Sequence, residues 1–227
     1  PTNLSLLLHY WRRTGDRQAL EMVKKTLEAM AQGGIYDHIG GGFHRYATDA
    51  EWLVPHFEKM LYDNAQLAVV YLEAWQYTGD QSYQRVAREI LDYVAREMTA
   101  PEGGFYSATD ADRPTPAGHD EEGWFFTWTP AELELLLGAD DAAIVSAVYG
   151  VTERGNFDGR NILHRVKTDS EVGGVLRVSP KRVAEVLASA RSTLYDARVS
   201  RPPPIRDEKI IAAWNGMMIS AFAQAGW

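Results

Sequence analysis

The chain has 227 residues, 45% apolar and 24% charged, the balance of a globular protein with enough length for a full hydrophobic core. Its formal net charge of −8, with no Lys/Arg clusters, excludes the phosphate-binding surface that a nucleic-acid partner needs. It has no Cys, which excludes disulfides, thiolate nucleophiles and Cys-bound zinc.

No apolar run approaches the ~18 residues of a membrane span, so no membrane partner is expected. The opening PTNLSLLLHYWRRTGD lacks the basic start and cleavage site of a signal peptide, and a cytoplasmic location is expected.

The elements follow from a repeat. TGD occurs at Thr14-Gly15-Asp16 and again 64 residues later at Thr78-Gly79-Asp80. Each copy follows an apolar segment (NLSLLLHYW; NAQLAVVYLEAWQY) and precedes an amphipathic one, and each ends in a Gly-Gly-Phe return, GGGFHRYATD or EGGFYSATD. Residues 65–77 are apolar on nearly every side, as in a buried helix. Residues 82–98 place Tyr83, Val86, Ile90, Val94 and Met98 at helical steps, leaving Arg85, Arg88, Glu89, Asp92 and Arg96 outward. Antiparallel helical hairpins are therefore predicted over 1–32 and 63–99. Hairpins of this kind close into a double ring, an all-α, α/α toroid. Solenoid repeats are shorter, and the long Gly-rich returns favour the ring.

Farther along, GFYSATD, GWFFTWT and GRNILHRVK alternate like short strands, so small β excursions are predicted near 104–128 and 160–167. Thr129-Pro130-Ala131-Glu132 is a capping box that starts a helix at Pro130. Ser179-Pro180 starts another, running to about Arg198. A third apolar opening, AWNGMMISAFAQAG, begins at Ala213, with Asn215 matching Asn64. Roughly three and a half hairpins are expected, so the whole chain, 1–227, is expected to be an incomplete toroid cut at both ends.

Polar residues gather where the chain enters inner helices. DAEWLVPHFEKMLYDN sets His56, Glu58, Lys59, Tyr62, Asp63 and Asn64 together, and RDEKIIAAWN repeats an acid–Lys pair ahead of an Asn. If helical, Glu58 and Tyr62, like Lys59 and Asp63, would share a side. Carboxylates among aromatic rings suit acid–base chemistry at a sugar carbon. Glu58, Asp63 and Asp110 are the catalytic candidates. The substrate-binding candidates are His44, Arg45, His56, Lys59, Tyr62, Asn64, Trp124, Arg206, Asp207, Trp214 and Asn215. His56, Glu58, Lys59, Asp63, Asn64, Arg206, Asp207, Trp214 and Asn215 are expected to converge on one concave site.

Plainer roles fit the same residues. Asp63-Asn64 also suits a helix cap, Lys59 also suits an ion pair with Glu58 or Asp63, and Gly40-Gly41-Gly42 suits a turn. His38, His44 and His56 lack metal-ligand spacing, and Asp110, Asp112, Glu121 and Glu122 lack that of a calcium loop, so neither metal nor cofactor is expected.

The run GGIYDHIGGGFHRYATDAEWLVPHFEKMLYDNAQLA resembles the YyaL-type, spermatogenesis-associated family. EGGFYSATDAD, EEGWFFTWTPAEL, YGVTERGNFDGRNILH and RPPPIRDEKIIAAWNGMMI match further blocks in the same order. The resemblance covers essentially the whole chain. It implies an (α/α)6 toroid of the six-hairpin glycosidase type, a thioredoxin-like domain upstream and further hairpins downstream. It supplies no catalytic residues, since a fold does not settle a function. Two readings stay open: a glycoside hydrolase-like or epimerase-like domain acting on a carbohydrate or other small molecule, or a non-catalytic binding or scaffold module serving the fused thioredoxin-like domain.

Overall fold

A computed structural model describes residues 1–114 and 120–226. Helices α1 (Thr2–Thr14) and α2 (Arg17–Gln32) form one hairpin, and α3 (Leu61–Thr78) and α4 (Gln81–Glu97) form the next. Four helices then make an insert: α5 (Pro130–Leu137), α6 (Ala139–Tyr149), α7 (Asp169–Leu176) and α8 (Pro180–Val199). Helix α9 (Ala212–Ala225) returns to the hairpins, where α3 lies between α1 and α9 while α2 backs α1 and α4 backs α3. This is the two-layered α/α architecture the repeat predicts. Among the described residues no helix is long and apolar enough to cross a membrane.

The TGD turns work identically. Thr14 and Thr78 each donate a hydroxyl hydrogen bond to a carbonyl four residues back. Gly15 and Gly79 then take left-handed φ of 73° and 75°, where a Cβ would be strained. Asp16 and Asp80 cap the next helix, accepting from Gln18 and Ser82 at 2.9 Å. Sequence and geometry agree residue by residue.

The Gly-Gly-Phe returns are fastened by a repeated clamp. Phe43 donates its N–H to Asn64 Oδ1 (2.8 Å), and Asn64 Nδ2 donates back to the Phe43 carbonyl (3.0 Å). Phe105 and Asn215 make the same pair at 2.7 and 2.9 Å. Each Asn also holds its own helix's start, through the Met60 or Ile211 carbonyl. Both are buried. The expectation that Asp63-Asn64 caps the helix is corrected: α3 begins at Leu61, its N-cap is Met60, and no side chain caps it.

Short strands complete the frame. β1 (Tyr46–Ala47) pairs with β2 (Pro55–His56). β3 (Lys59–Met60) and β4 (Ala108–Thr109) are antiparallel neighbours, β5 (Asp112–Pro114) pairs with β6 (Asp120–Glu122), and β7 (Arg206–Asp207) flanks β4. The predicted excursion over 104–128 thus contains strands, though 115–119 lie outside the described residues. Segment 160–167 holds only isolated bridges, Trp128 with Asn161 and Phe157 with Arg160, and GWFFTWT is a turn. Their aromatic alternation reflects burial around Trp128 and Phe125 rather than strand pairing. The pairing of Glu58 and Lys59 at helical spacing with Tyr62 and Asp63 also fails, because 59–60 is strand.

Two main cores result, one beneath α1–α4 and α9 and one within the insert. Replacing Asn64 by Ala would orphan a buried N–H and a buried carbonyl of Phe43. A loss of about 1–3 kcal/mol per orphaned group is expected, read as a lower urea midpoint with the slope unchanged. Asn215→Ala should lose less, because Phe105 is only partly buried.

Candidate functional site

The β3–β4–β7 sheet sits where the inner helices begin. β3 runs directly into α3, and β7 leads into α9 across four intervening residues. Its register aligns Lys59 with Thr109 and Thr109 with Arg206. Because side chains alternate along a strand, these three share one face. Glu58, Asp110 and Asp207 fall on the other. The sheet therefore sorts the polar candidates by charge: cations and a hydroxyl on one side, carboxylates on the other.

On the carboxylate side a network forms around Arg45. Its Nη1 donates to Glu58 Oε2 at 2.8 Å, and that oxygen lies 3.2 Å from His56 Nε2. His56 Nδ1 contacts Glu122 Oε1 at 2.9 Å, and its ring stacks on Tyr46. Glu122 is therefore engaged with His56; the side chains of Asp112 and Glu121 lie outside the described residues. Arg45 also interacts with Tyr62, the first-turn neighbour of Asp63. Tyr62 in turn packs against Trp214 of α9, ring centroids 4.8 Å apart.

Asp63 differs from every other carboxylate here. Its Oδ2 is enclosed without a hydrogen-bond partner. Burial raises its pKa to about 6, against the opposing pulls of Tyr62 and Arg45. One turn farther along α3, Gln66 lines a hollow of about 330 Å³ with Ser5, Val69, Met217 and Ser220, drawn from all three inner helices. A partly buried carboxyl and two aromatic rings thus lie together at the start of α3 and α9, with the hollow, which none of the three lines, one turn beyond.

Lys59 does not pair with Glu58 or Asp63. Its ammonium donates to Asp37 Oδ2 (2.7 Å) and the Gly41 carbonyl (2.8 Å), and sits 4.2 Å from the Tyr93 ring centre. Arg198, 161 residues from Asp37 in sequence, donates Nη1 to both oxygens of the same carboxylate at 2.9 Å. Asp37 further accepts from the N–H groups of Ile39 and Gly40. Burial opposes its ionisation, but Arg198 and Lys59 prevail and hold its pKa well below the usual range. The Gly40-Gly41-Gly42 run is indeed a turn: a Cβ on Gly40 would strike Arg198 Nη2 at 2.0 Å. His44 Nδ1 donates to the Phe57 carbonyl (2.9 Å), and burial lowers its pKa to about 3.

The structure thus divides the candidates. Arg45, His56, Glu58, Tyr62, Asp63 and Trp214 form one connected region, while Lys59 and His44 lie in the buried cluster beneath it. Asn64 and Asn215 are spent on the clamps. Trp124 lies in the turn before α5, beneath the guanidiniums of Arg160 and Arg201. Asp110 is exposed, its Oδ1 accepting from the Ala111 N–H, and Asp207 accepts from Lys209. Arg206 covers the Tyr106 ring at 4.2 Å. Asp37 and Arg198 escape sequence reasoning. An acid before a Gly run is the only local signal, and nothing in the chain announces its distant partner.

No protein-family model matches the chain. It is 43% identical to human spermatogenesis-associated protein 20, with all of this chain matched against 32% of that protein. The chain therefore spans about a third of the length of the curated relative it matches. Among solved structures it resembles a family 76 glycoside hydrolase from a bovine Bacteroides thetaiotaomicron strain (TM-score 0.45, 14% identity, 98% of this chain and 41% of that one). It also resembles a family 76 mannosidase from Bacteroides thetaiotaomicron (TM-score 0.43, 13% identity, 96% and 51%).

Asp37→Asn would leave Lys59 and Arg198 buried with no countercharge. A loss of about 3–5 kcal/mol is expected in chemical denaturation. A pH effect follows from His44 and from His38, which burial lowers to about 4. Both are neutral in the fold and take up protons when unfolded below about 6.5. Their contribution is complete above that pH and declines as pH falls towards 4, by about 1.4 kcal/mol per unit for each. Asp63 opposes them in the same window, since its folded pKa is raised. Urea midpoints between pH 7 and 4.5 should fall, less steeply in His44→Gln than in the wild type.

Proposed function

The chain belongs, over the segment it spans, to the spermatogenesis-associated protein 20 family, and we propose that this segment performs acid–base chemistry on a carbohydrate. The observation that carries the reading is Asp63, a carboxyl with a buried, unpartnered oxygen and a pKa near 6 at the start of an inner helix. Such a group is populated in both protonation states near neutrality, so it can give or take a proton at small cost. Tyr62 and Trp214 offer flat faces for the C–H side of a sugar ring. Arg45 and His56 offer donors for its hydroxyls.

In a hydrolytic version Asp63 is the acid, and an ionised carboxylate from the Glu58–Asp110 face attacks or activates water. In an epimerase-like version a carboxylate of that same face takes the C–H proton from one side of the carbon, and protonated Asp63 delivers its own proton to the other side. The thioredoxin-like domain expected upstream is the neighbour such a segment would serve.

One observation favours the second reading, a non-catalytic binding module: Glu58 is already tied to Arg45 and His56, as a structural network would be. Asp63→Asn in the full-length protein separates the two. The folded pKa is raised, so the carboxylate burdens the fold above about pH 6 and no longer does below about 4. The amide should therefore raise thermal stability at pH 8 and leave it unchanged at pH 4. Turnover of any substrate found in a sugar panel should fall by about 100-fold or more. Lower stability with intact ligand binding would identify a clasp instead.

A further inference from the structure

We propose that the cation face of the β3–β4–β7 sheet walls a second ligand site, separate from the mouth, that binds the carboxylate of a small organic acid with a flat apolar body. The register that sends Glu58 towards Arg45 sends Lys59, Thr109 and Arg206 the other way, into a cavity of about 390 Å³. Tyr93 of α4 forms part of its wall, with Phe125 and Phe126 from the turn before α5. The volume is that of a small-molecule pocket.

Two enclosed hydroxyls in this wall have no partner but each other. The Tyr93 hydroxyl, on a side chain 1% exposed, lies beside Thr109 Oγ1, and neither bonds any other group among the described residues. A bond between two hydroxyls uses one O–H and leaves the other without an acceptor, and a buried donor left over points to an acceptor that enters the cavity. Charge identifies that acceptor. Among the described residues Lys59 and Arg198 pair with one carboxylate, Asp37, which leaves one positive charge beside the cavity in excess. The other charges in the wall are already matched. Glu97 accepts from Arg96 and from the Tyr195 hydroxyl, and Arg206 donates to Glu208. A single excess cation and one unused O–H donor suit a monoanionic carboxylate better than a dianionic phosphate. The rings of Phe125 and Phe126 receive the apolar body, and the exposed Arg206 marks the entrance.

Benzoate is the probe, titrated calorimetrically into the full-length protein, with benzyl alcohol as its neutral counterpart and phenyl phosphate as a dianion. Benzoate is expected to bind, and benzyl alcohol to bind at least about tenfold more weakly. Tyr93→Phe and Thr109→Val should each weaken benzoate about fivefold or more, with little change in the melting temperature of the unliganded protein, because one unused O–H remains in each variant as in the wild type. Arg206→Gln, at the exposed rim, should weaken it as well and serves if a core variant fails to fold. Asp63→Asn should leave benzoate binding unchanged, so the fate of the mouth does not decide this site. The proposal is overturned if benzoate shows no binding at about 10 mM, if benzyl alcohol binds equally, if phenyl phosphate binds more tightly, or if the variants bind as the wild type does.

Discussion

A single carboxylate organises the middle of this protein. Asp37 holds two cations that are each 1% exposed, one from the strand entering α3 and one from the last helix of the insert. Among the described residues neither cation pairs with another carboxylate. Taking such charges from water costs several kcal/mol each, and their attraction repays this only with good geometry and filled hydrogen bonds. Asp37 meets that condition with two guanidinium contacts, one ammonium and two backbone donors. Its worth lies in specifying position as much as in stability. Lys59 can occupy one place only, which fixes the strand that carries it and the sheet built on that strand.

That sheet is small, but it decides the chemistry available at each of its faces. Alternation along two-residue strands separates Lys59, Thr109 and Arg206 from Glu58, Asp110 and Asp207. A slip of one residue would exchange them. The clamps guard against this from the other side, since Asn64 and Asn215 lock the Gly-Gly-Phe returns to the inner helices that follow β3 and β7. Register is thus set twice, by ion pairing at Asp37 and by amide hydrogen bonds at the helix starts.

Asp63 shows what this rigidity permits. Its neighbours at the mouth are paired, while it is partly buried with one oxygen unpartnered, and burial holds its pKa near 6. A fold selected for stability alone would place an amide or an apolar residue there. The position is supported by interactions elsewhere, which is how strained or poorly solvated groups persist at working sites.

The amino-acid sequence by itself determined the hairpins, their TGD turns, the capped starts of α5 and α8 and the equivalence of Asn64 with Asn215. These rest on contacts within a few residues, where periodicity, caps and left-handed glycines act directly. The start of α7 was equally legible, because Thr168 and Glu171 make a second capping box, though the surrounding sequence drew attention to strands instead. What Asn64 and Asn215 do was not legible, since an Asn at a helix start serves equally as cap, clamp or ligand contact. Nor was the partner of Lys59, or the sorting of charges across the sheet. Those depend on which distant segments meet: Arg198 reaches Asp37 across 161 residues, and Thr109 reaches both Lys59 and Arg206 by register. Local propensity carries no information about such meetings, because the energy that selects them appears only when the charges are buried together.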